Sequence, residues 1–376
     1  MKKLLALLTL VCVSFNVSGA GAKELKYIDA STLTILNKPQ PDGPRLSRLD
    51  TDKYPDFTPT VRKYYKMSTG MAVSFHTNSP VIAAKWCNDK EHRSTSWHPI
   101  AEAGLDLYIK KDGEWLWAGM GRPKYKSVKH EYTLVDNMDT TMKECMIYLP
   151  CFMVLDSIQL GFAPNAVVES CGEVRRAPVV AMGSSYTHGT STSRPGMTWP
   201  AQLSRILGVD VANYGTGGQQ KMEQFFAELI CDTDADMFIF DCFSNPNADQ
   251  IRERFADFVK TVRKKHPNTP LVFLETVKRE VSNFDLDKRK YEADKAQAAR
   301  EEISKVMKRD RNIYFFEPGL FTGDDHETTV DGTHPSDNGY QRAAINIAQK
   351  INAIPALRKI IDDARRVSEF KTKQKP

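Results

Sequence analysis

The sequence is poor in cysteine and histidine and has almost no excess of charge. Seven of its 376 residues are cysteine, eight are histidine, and the formal net charge is +5. Lys2 and Lys3 belong to the first residues, and without them 50 basic residues exceed 47 acidic ones by only 3. So small an excess, with no basic stripe among aromatic residues, argues against a nucleic acid or a membrane surface as the partner.

The cysteines show no metal-binding pattern. Those beyond residue 22 are Cys87, Cys145, Cys151, Cys171, Cys231 and Cys242. None stands in a Cys-x-x-Cys spacing or near a histidine cluster, so the sequence predicts no zinc site. In an oxidising compartment Cys145 could form a disulfide with Cys151, or Cys151 with Cys171, and reduced buried thiols are the alternative.

Long apolar runs are absent beyond the first residues. Residues 1–22 have the three parts of an export signal, namely the pair Lys2-Lys3, the apolar run Leu4–Val13 and the small residues Ser18–Ala22. The apolar run is much shorter than the ~20 residues that a membrane-spanning helix needs. We therefore predict a signal peptide over residues 1–22 and an exported protein, periplasmic or secreted, with no membrane span.

A lipoprotein signal is the alternative for this leader. Cys12 would then be the lipidated residue, but Val11 before it is bulkier than such sites usually accept. Cleavage after Ala20 or Ala22 fits the small-residue pattern. Lipid anchoring is therefore the weaker prediction.

The length favours two domains, and the two halves differ in pattern. From residue 23 to residue 175 short runs alternate in polarity or are rich in β-branched and aromatic residues, with polar turns between them. No segment in this half sustains a helical repeat. We predict an antiparallel, jelly-roll-like β-sandwich over residues 23–175. Its strand candidates are Ala72–Thr77, Val81–Trp86, Leu105–Ile109, Trp115–Ala118, Glu131–Val135, Met146–Leu149 and Ser157–Phe162.

From residue 176 to residue 376 strand-like runs alternate with helical ones, which is typical of a parallel sheet with helices on both faces. The strand candidates are Val179–Met182, Val209–Asn213, Met237–Cys242, Leu271–Thr276 and Ile313–Phe316. The helix candidates are Trp199–Leu207, Lys221–Ile230, Ala248–Lys264, Lys288–Lys308 and Asn338–Ile351, the last with Asp337 as its N-cap. We predict a three-layer α/β/α domain with a parallel sheet over residues 176–376.

Residues that can carry chemistry stand at the carboxyl ends of the predicted strands, where the active sites of open parallel sheets form. The apolar run Val179–Met182 leads into Gly183–Ser185. Asp331 and His334 follow the fifth strand, and their spacing puts a base and its orienting carboxylate within one turn. Ser, Asp and His in this order form one of the known arrangements of the catalytic triad. The pattern predicts nucleophilic catalysis by Ser185.

With these residues the chain resembles the SGNH, or GDSL-type, hydrolase family, which is named for four blocks that contribute Ser, Gly, Asn and His. The segments similar to the four blocks are Gly183–Thr187, Asn213–Gly218, Asp241–Asn245 and Asp331–Pro335. The resemblance implies Ser185 as the nucleophile, His334 as the general base and Asp331 as its partner. It also implies an oxyanion hole formed by the Ser185 N–H, the Gly218 N–H and the Asn245 side-chain amide.

The resemblance extends into the first half and has two departures. Gly104–Tyr108 looks like the Gly-x-Asp-Leu-Tyr element of the β-sandwich that precedes the hydrolase in one bacterial branch of the family. Ser184 replaces the usual Asp before the nucleophile. Phe243-Ser244 replaces a more Gly-rich approach to Asn245, which leaves Asn247 as an alternative oxyanion donor.

Together with the export signal, the resemblance implies a serine esterase that removes short acyl groups, above all acetyl, from a carbohydrate through an acyl-enzyme intermediate. Its partner would be an acylated small molecule or glycan, and the resemblance implies no metal or cofactor. The alternatives are a lipase or thioesterase for longer acyl chains and a non-catalytic glycan-binding protein. The intact Ser185, Asp331 and His334 argue against the last of these.

Several further residues have two interpretations. His188 could line the pocket or cap the turn after Ser185. Four tryptophans of the first half could stack on sugar rings or belong to the core of the sandwich. They are Trp86, Trp97, Trp115 and Trp117. Glu275, at the end of the fourth strand, has no assigned role.

Overall fold

The computed structural model describes residues 24–95, 97–172, 176–317 and 323–373. The predicted signal peptide with Cys12 lies outside these ranges, as does the predicted domain boundary at residue 175. Within the described ranges every helix is too short or too polar to cross a membrane.

The first half forms two antiparallel sheets. Its strands are β1 (Lys26–Asp29), β2 (Thr34–Leu36), β3 (Ala72–Thr77), β4 (Ile82–Asn88), β5 (Leu105–Lys111), β6 (Glu114–Gly121), β7 (Lys129–Val135), β8 (Lys143–Tyr148), β9 (Leu155–Phe162) and β10 (Val168–Ser170). One sheet has the order β1-β9-β4-β7, and the other has the order β10-β3-β8-β5-β6 with β2 paired to β3. The core between them contains Val73 and Phe75 from one sheet and Trp86 and Leu160 from the other. This arrangement confirms the predicted β-sandwich.

This half also contains two helices that the sequence pattern did not predict. They are α1 (Pro59–Lys66) and α2 (Pro99–Ala103). Each begins with a proline behind a capping side chain; before α1 the Thr58 hydroxyl accepts the Val61 N–H at 3.3 Å. Proline suits this position because its missing N–H would have no partner in the helix. Both helices are too short to show an apolar repeat, so the cap followed by proline is their only sequence signal.

The second half forms one parallel sheet between two layers of helices. Its strands are β11 (Val179–Gly183), β12 (Val211–Gly215), β13 (Met237–Asp241), β14 (Leu271–Leu274) and β15 (Ile313–Phe316), in the sheet order β12-β11-β13-β14-β15. Its helices are α3 (Ser185–His188), α4 (Trp199–Leu207), α5 (Gln224–Cys231), α6 (Ala248–Lys265), α7 (Leu286–Met307), α8 (Asp337–Ala353) and α9 (Pro355–Lys373). Helices α5, α6 and α7 bury apolar side chains on one face, and α4, α8 and α9 on the other. This confirms the predicted α/β/α architecture.

The start of α8 differs from the prediction. Its N-cap is Ser336, whose hydroxyl accepts the Gly339 N–H at 3.5 Å. Asp337 is the first helical residue, and its carboxylate accepts the backbone N–H of Ser193 at 2.9 Å and the hydroxyl of the same residue. The acidic side chain therefore holds a loop of the neighbouring segment instead of capping its own helix.

The segment between β2 and β3 packs partly on the sandwich, where Met71 is buried, and partly on the second half. Leu49, Phe57 and Tyr65 from this segment lie in the same buried cluster as Tyr214 and Phe226. Apolar burial of this kind is the main stabilising term in packing. The two halves therefore share part of one hydrophobic core.

Arg48, in the same segment, covers the edge of the parallel sheet. It is fully buried, and its Nη1 donates to the carbonyl oxygens of Asn213 at 2.9 Å and Gly215 at 2.8 Å. Both carbonyls belong to β12, which is an edge strand whose outer polar groups need partners. Burial lowers the pKa of Arg48 to about 10, so the guanidinium stays charged at neutral pH.

The Gly-x-Asp-Leu-Tyr element holds the loop that follows α3. Asp106 is fully buried, and its carboxylate accepts the Trp117 Nε1–H and the Gly196 N–H, both at 2.9 Å, and pairs with Arg194 at 2.8 Å. Arg194 also donates to the Tyr108 hydroxyl at 2.5 Å. Burial raises the pKa of Asp106, and the charge of Arg194 opposes that rise. Asp106 and Tyr108, the two polar residues of the element, thus join the sandwich to the α/β half.

Candidate active site

Ser185 is the first residue of α3, directly after β11 and its turn. Gly183 permits that close turn, because a side chain in its place would meet the Thr187 hydroxyl oxygen at 2.2 Å. Ser184 caps α3, and its hydroxyl accepts the Tyr186 N–H at 3.2 Å. The first N–H groups of a helix have no partner within the helix. The Ser185 N–H is therefore left for an acceptor outside the helix.

The structure brings the three predicted triad residues together. His334 Nε2 lies 3.0 Å from the Ser185 hydroxyl oxygen, and His334 Nδ1 lies 2.8 Å from Asp331 Oδ2. Asp331 Oδ1 accepts the backbone N–H groups of His334 and Thr333 at 2.7 and 2.9 Å. Burial opposes the charge of Asp331, but these hydrogen bonds outweigh it and lower the pKa of Asp331. The carboxylate thus favours the imidazole tautomer with Nδ1 protonated and Nε2 free to accept the serine proton.

The loop that carries Asp331 and His334 is held in a tight turn. The Val330 N–H donates to the His334 carbonyl oxygen at 2.9 Å. Gly332 has a φ of +76°, and a side chain there would meet Val281 Cγ1 at 2.6 Å. The Val281 N–H also donates to the Gly332 carbonyl oxygen at 3.0 Å. Both the dihedral angle and the close approach require glycine at this position.

Asp241 is a buried carboxylate that joins two of the four blocks, a role that the sequence pattern did not predict. Asp241 Oδ2 accepts the N–H and the hydroxyl of Ser184 at 3.0 and 2.7 Å and the hydroxyl of Thr187 at 3.0 Å. Its Oδ1 accepts the Ser244 hydroxyl at 2.6 Å. Burial raises the pKa of Asp241, and these donors oppose the rise. The serine that replaces the usual Asp before the nucleophile thus binds an Asp from the neighbouring strand. The sequence signal for this role of Asp241 is the presence of an acidic residue at the end of the apolar run Met237–Asp241.

Asn245 and Asn247, the two candidate oxyanion side chains, have different surroundings. The Asn245 side-chain nitrogen is buried and has no hydrogen-bond partner among the described residues. Such an atom is costly, and it suits a donor whose acceptor belongs to a bound ligand. The Asn247 side chain is exposed and caps α6, where its Oδ1 accepts the Gln250 N–H at 2.8 Å. The geometry favours Asn245 as the donor.

His188 connects the helix of the nucleophile to the glycine loop. It is fully buried, its Nε2 lies 3.0 Å from the Cys151 carbonyl oxygen, and its Nδ1 accepts the Gly217 N–H at 3.3 Å. A carbonyl oxygen only accepts, so Nε2 carries the proton. Burial lowers the pKa of His188 well below its usual value. Neutral His188 therefore fixes Gly217 and, with it, the predicted oxyanion residue Gly218, which is exposed with a φ of +72°. Neither sequence interpretation, a pocket wall or a cap, anticipated this buried bridge.

Aromatic side chains of the first half surround His188. The ring centroids of Tyr64 and Phe152 lie 5.0 and 4.5 Å from the imidazole centroid. Trp97 stacks on Phe152 with a centroid distance of 4.2 Å. Tyr64 and Trp97 remain partly exposed. Segments that connect the strands of the first half thus contribute an aromatic wall beside His188, and Trp97 belongs to it.

The other residues with two interpretations have structural contacts. Trp86 is buried in the core of the sandwich, and Trp115 packs against a small cluster between the two halves. Trp117 is 53% exposed but donates its Nε1–H to the buried carboxylate of the Gly-x-Asp-Leu-Tyr element. Glu275 is buried and forms an ion pair with Arg300 at 2.7 Å.

Within the described ranges the cysteines form no disulfide and the acidic residues form no metal cluster. Cys145, Cys151 and Cys171 are not bonded to one another, so neither Cys145–Cys151 nor Cys151–Cys171 is a disulfide. Burial raises the pKa of both Cys145 and Cys151 to about 12, which keeps these thiols protonated. Within the described part of the chain no three His, Cys, Asp or Glu side chains are grouped so that they could hold a metal ion.

Two family models match the chain. The model of the GDSL-like lipase/acylhydrolase family matches residues 176–352. The model described as the N-terminus of SGNH-hydrolase-type esterases, GxDLY, matches residues 25–168. No curated protein matches the chain.

Several solved structures are similar over most of the chain. One from Bacteroides ovatus ATCC 8483, described as a GDSL-like lipase, is 41% identical with a TM-score of 0.84 and covers 88% of this chain and 98% of its own. A salicylyl-acyltransferase from a tetracycline biosynthetic pathway is 20% identical with a TM-score of 0.67, over 88% and 98% of the two chains. A family two carbohydrate esterase from Cellvibrio japonicus is 12% identical with a TM-score of 0.57, over 90% and 98%. The acyltransferase and the carbohydrate esterase share the fold of this chain. The chain belongs to the GDSL-like lipase/acylhydrolase family of SGNH hydrolases, with the GxDLY N-terminal domain of its esterases.

Proposed function

We propose that this protein is a serine esterase that hydrolyses short-chain acyl esters, above all acetyl esters, on carbohydrates through an acyl-enzyme intermediate. The observation that carries the proposal is the hydrogen-bonded line from Ser185 through His334 to Asp331, with contacts of 3.0 and 2.8 Å. The buried, unpaired amide of Asn245 adds a donor for the oxyanion. Family membership supports acyl-ester chemistry, and the acyl group and the alcohol are the parts that we propose.

In the acylation step, the Ser185 hydroxyl oxygen attacks the ester carbonyl carbon while His334 Nε2 takes the hydroxyl proton. Asp331 stabilises the imidazolium that forms. The substrate carbonyl oxygen becomes negative and is bound by the N–H groups of Ser185 and Gly218 and by the Asn245 amide. The bond to the alcohol oxygen then breaks, His334 gives its proton to that oxygen, and the acyl group remains on Ser185.

Deacylation repeats the same sequence with water as the nucleophile. His334 Nε2 takes a proton from a water molecule, and the water oxygen attacks the carbonyl carbon of the acyl-enzyme. The same donors bind the second oxyanion. The bond to the Ser185 oxygen then breaks, that oxygen takes the proton from His334, and the carboxylic acid leaves.

The surroundings of the nucleophile support a carbohydrate ester as the substrate. Gly217 and Tyr64 lie beside Ser185, since a carbon added to Gly217 would be 3.7 Å from Ser185 Cβ and 3.8 Å from the Tyr64 hydroxyl oxygen, both ordinary contact distances. The partly exposed rings of Tyr64 and Trp97 offer flat faces that suit stacking on a sugar ring. A protein that shares the fold is named for carbohydrate esters. The leader pattern of residues 1–22 supports action outside the cytoplasm.

The test is an activity screen of the mature chain with nitrophenyl esters from acetyl to octanoyl and with acetylated oligosaccharides. We expect kcat/KM to be highest for acetyl esters and expect acetate release from at least one acetylated glycan. Ser185→Ala should abolish hydrolysis and leave Tm unchanged, because it removes one hydroxyl from a partly exposed position at the start of α3. Binding of glycans without hydrolysis of any ester would favour the non-catalytic alternative.

A lipase or thioesterase for longer acyl chains is the second candidate, because Phe284 and Leu286 are 95% and 71% exposed. They follow the turn that contains Val281, which contacts Gly332 in the loop of the base. Exposed apolar side chains near a site can contact an apolar ligand. If this candidate is correct, kcat/KM rises steadily toward octanoyl esters, and Phe284→Ser removes the rise without lowering acetyl-ester activity.

A further inference from the structure

The loop Cys242–Pro246 carries the Asn245 amide but contains neither helix nor strand. Its orientation therefore depends on the hydrogen bonds of its peptide groups. The carbonyl oxygen of Ser244, in the peptide unit just before Asn245, accepts from Arg279 Nη2 and from Lys295 Nζ, both at 2.9 Å. A carbonyl oxygen has two lone pairs, and here both are directed at charged donors, which form the stronger hydrogen bonds.

The carboxylate of Glu292 forms ion pairs with both of these cations and fixes their positions. Glu292 Oε1 lies 3.1 Å from Arg279 Nη1, and Glu292 Oε2 lies 2.9 Å from Lys295 Nζ. Lys295 is fully buried on α7, with 0% of its surface exposed. Burial of a charged group is costly, and an apolar side chain of similar length is often at least as stable in such a place. Stability alone therefore does not explain why a lysine stands at position 295.

Arg279 also reaches the segment of the nucleophile. Its Nε donates to the Tyr186 hydroxyl at 3.2 Å, and Tyr186 directly follows Ser185. The Tyr186 ring centroid lies 5.7 Å from the ring centroid of His334. One guanidinium therefore links the loop of Asn245 to the residue after the nucleophile and to the ring beside the base.

We propose that Lys295 and Arg279 are positioning residues for the reaction, which hold the Ser244 carbonyl and so direct the Asn245 amide at the carbonyl oxygen of the substrate. This inference rests on the proposed esterase function and deepens it. Neither side chain contacts the substrate. Both act through Asn245 on the step in which negative charge develops on that oxygen, and Arg279 also holds Tyr186 beside the nucleophile.

The test is a double-mutant cycle between Lys295 and Asn245, measured with nitrophenyl acetate. Lys295→Met removes the charged donor and keeps the length of the side chain. We expect kcat to fall about tenfold and KM to change less than about twofold, because the amide is needed in the transition state more than in the ground state. In the Asn245→Ala background the same change should lower kcat less than about twofold, because the group that Lys295 positions is gone.

Lys305→Met is the matched control. Lys305 lies on the same helix and pairs with Glu302 at 2.6 Å in the same i,i+3 arrangement, but its side chain is 66% exposed. We expect its kcat to equal that of the wild type. Should Lys295→Met fail to fold in a thermal melt, Arg279→Gln tests the same carbonyl from a side chain that is 21% exposed.

Two results would separate this inference from the function on which it rests. Suppose that Asn245→Ala lowers kcat. If Lys295→Met then causes no loss of kcat, or causes the same loss with and without Asn245, the positioning role is wrong and the esterase proposal stands. If Asn245→Ala itself keeps full activity, the oxyanion assignment is wrong and the positioning role falls with it.

Discussion

Asp241→Asn is the change that best tests how the site is held together, because one buried carboxylate binds two of its loops. The variant keeps the shape of the side chain and removes the charge. If the amide oxygen takes the place of Oδ2, it can accept the three hydrogen bonds from Ser184 and Thr187. The amide nitrogen then faces the Ser244 hydroxyl, which lies 2.6 Å from Oδ1 and must turn from donor to acceptor. We therefore expect Asp241→Asn to fold with weaker contacts.

The magnitude follows from the number of donors. A hydrogen bond to a charged group contributes about 1.5–3 kcal/mol and one between neutral groups about 0.5–1.5 kcal/mol, so each bond to Asp241 loses about 1 kcal/mol in the variant. The raised pKa of Asp241 means that burial penalises its charge more than these donors favour it, so relief of that desolvation offsets the lost hydrogen-bond energy. We expect the free energy of unfolding to change by less than about 2 kcal/mol, with Tm within a few degrees of the wild-type value.

Activity should fall further than stability, because Ser184 and Ser244 position the nucleophile and the oxyanion donor. We expect kcat on nitrophenyl acetate to decrease about tenfold or more at a temperature well below Tm. Asp236→Asn is the control, since Asp236 precedes the other end of β13 and pairs with Arg176 at 2.8 Å with 42% of its side chain exposed. It should cost less than about 1 kcal/mol and leave kcat unchanged. An Asp241→Asn variant with the kcat of the wild type would refute the reasoning.

Three further predictions concern the oxyanion donor, the partner of the base and the buried lysine. Asn245→Ala should lower kcat by about 10²–10³ with little change in KM, and Asn247→Ala should cost about 1 kcal/mol of stability as a lost helix cap and leave kcat unchanged. Steady-state kinetics with the opposite pattern would move the oxyanion donor two residues downstream. Asp331→Asn should lower kcat by as much as about 10⁴, because it disfavours the His334 tautomer with Nδ1 protonated, and a loss below about tenfold would exclude that role. Burial, and then the charge of Arg279, lower the pKa of Lys295 to about 8. The unfolded chain therefore binds the extra proton between about pH 8 and pH 10, and the free energy of unfolding should rise with pH in that window by up to about 3 kcal/mol. Denaturant titrations should show this rise flattened in Lys295→Met, and equal slopes in the two proteins would contradict it.

Much of the α/β half could be predicted because its elements have strong local signals. Buried parallel strands are continuous apolar runs, which is why Met237–Asp241 was recognisable. Helix Trp199–Leu207 has its predicted bounds because Thr198 caps its start and Gly208, with a φ of +63°, ends it. Residues fixed to the ends of such elements, Ser185 among them, could be located in the same way.

The remaining features depend on contacts between distant parts of the chain, which sequence spacing does not reveal. His188 bonds to the Cys151 carbonyl of the other half. Lys295 donates to the Ser244 carbonyl oxygen from the middle of α7, whose sequence pattern is otherwise typical of a partly exposed surface helix. Helix α1 is a local feature that was missed, because eight residues are too few for a repeat. Tertiary packing, and not local helix propensity, determines the contacts of His188 and Lys295.

The two halves are not interchangeable modules, because residues 49–65 lie between two strands of the sandwich and yet pack on the parallel sheet. A chain cut at residue 176 would keep the three proposed triad residues but would lose the apolar cover provided by Leu49, Phe57 and Tyr65. It would also leave carbonyl groups of the edge strand β12 without Arg48, and a bare sheet edge promotes aggregation. Grafting the catalytic half onto another protein therefore requires this segment to be carried along. Insertions in the sandwich are better placed in outer turns such as the one at Gly113, where an added side chain would meet nothing within 4 Å.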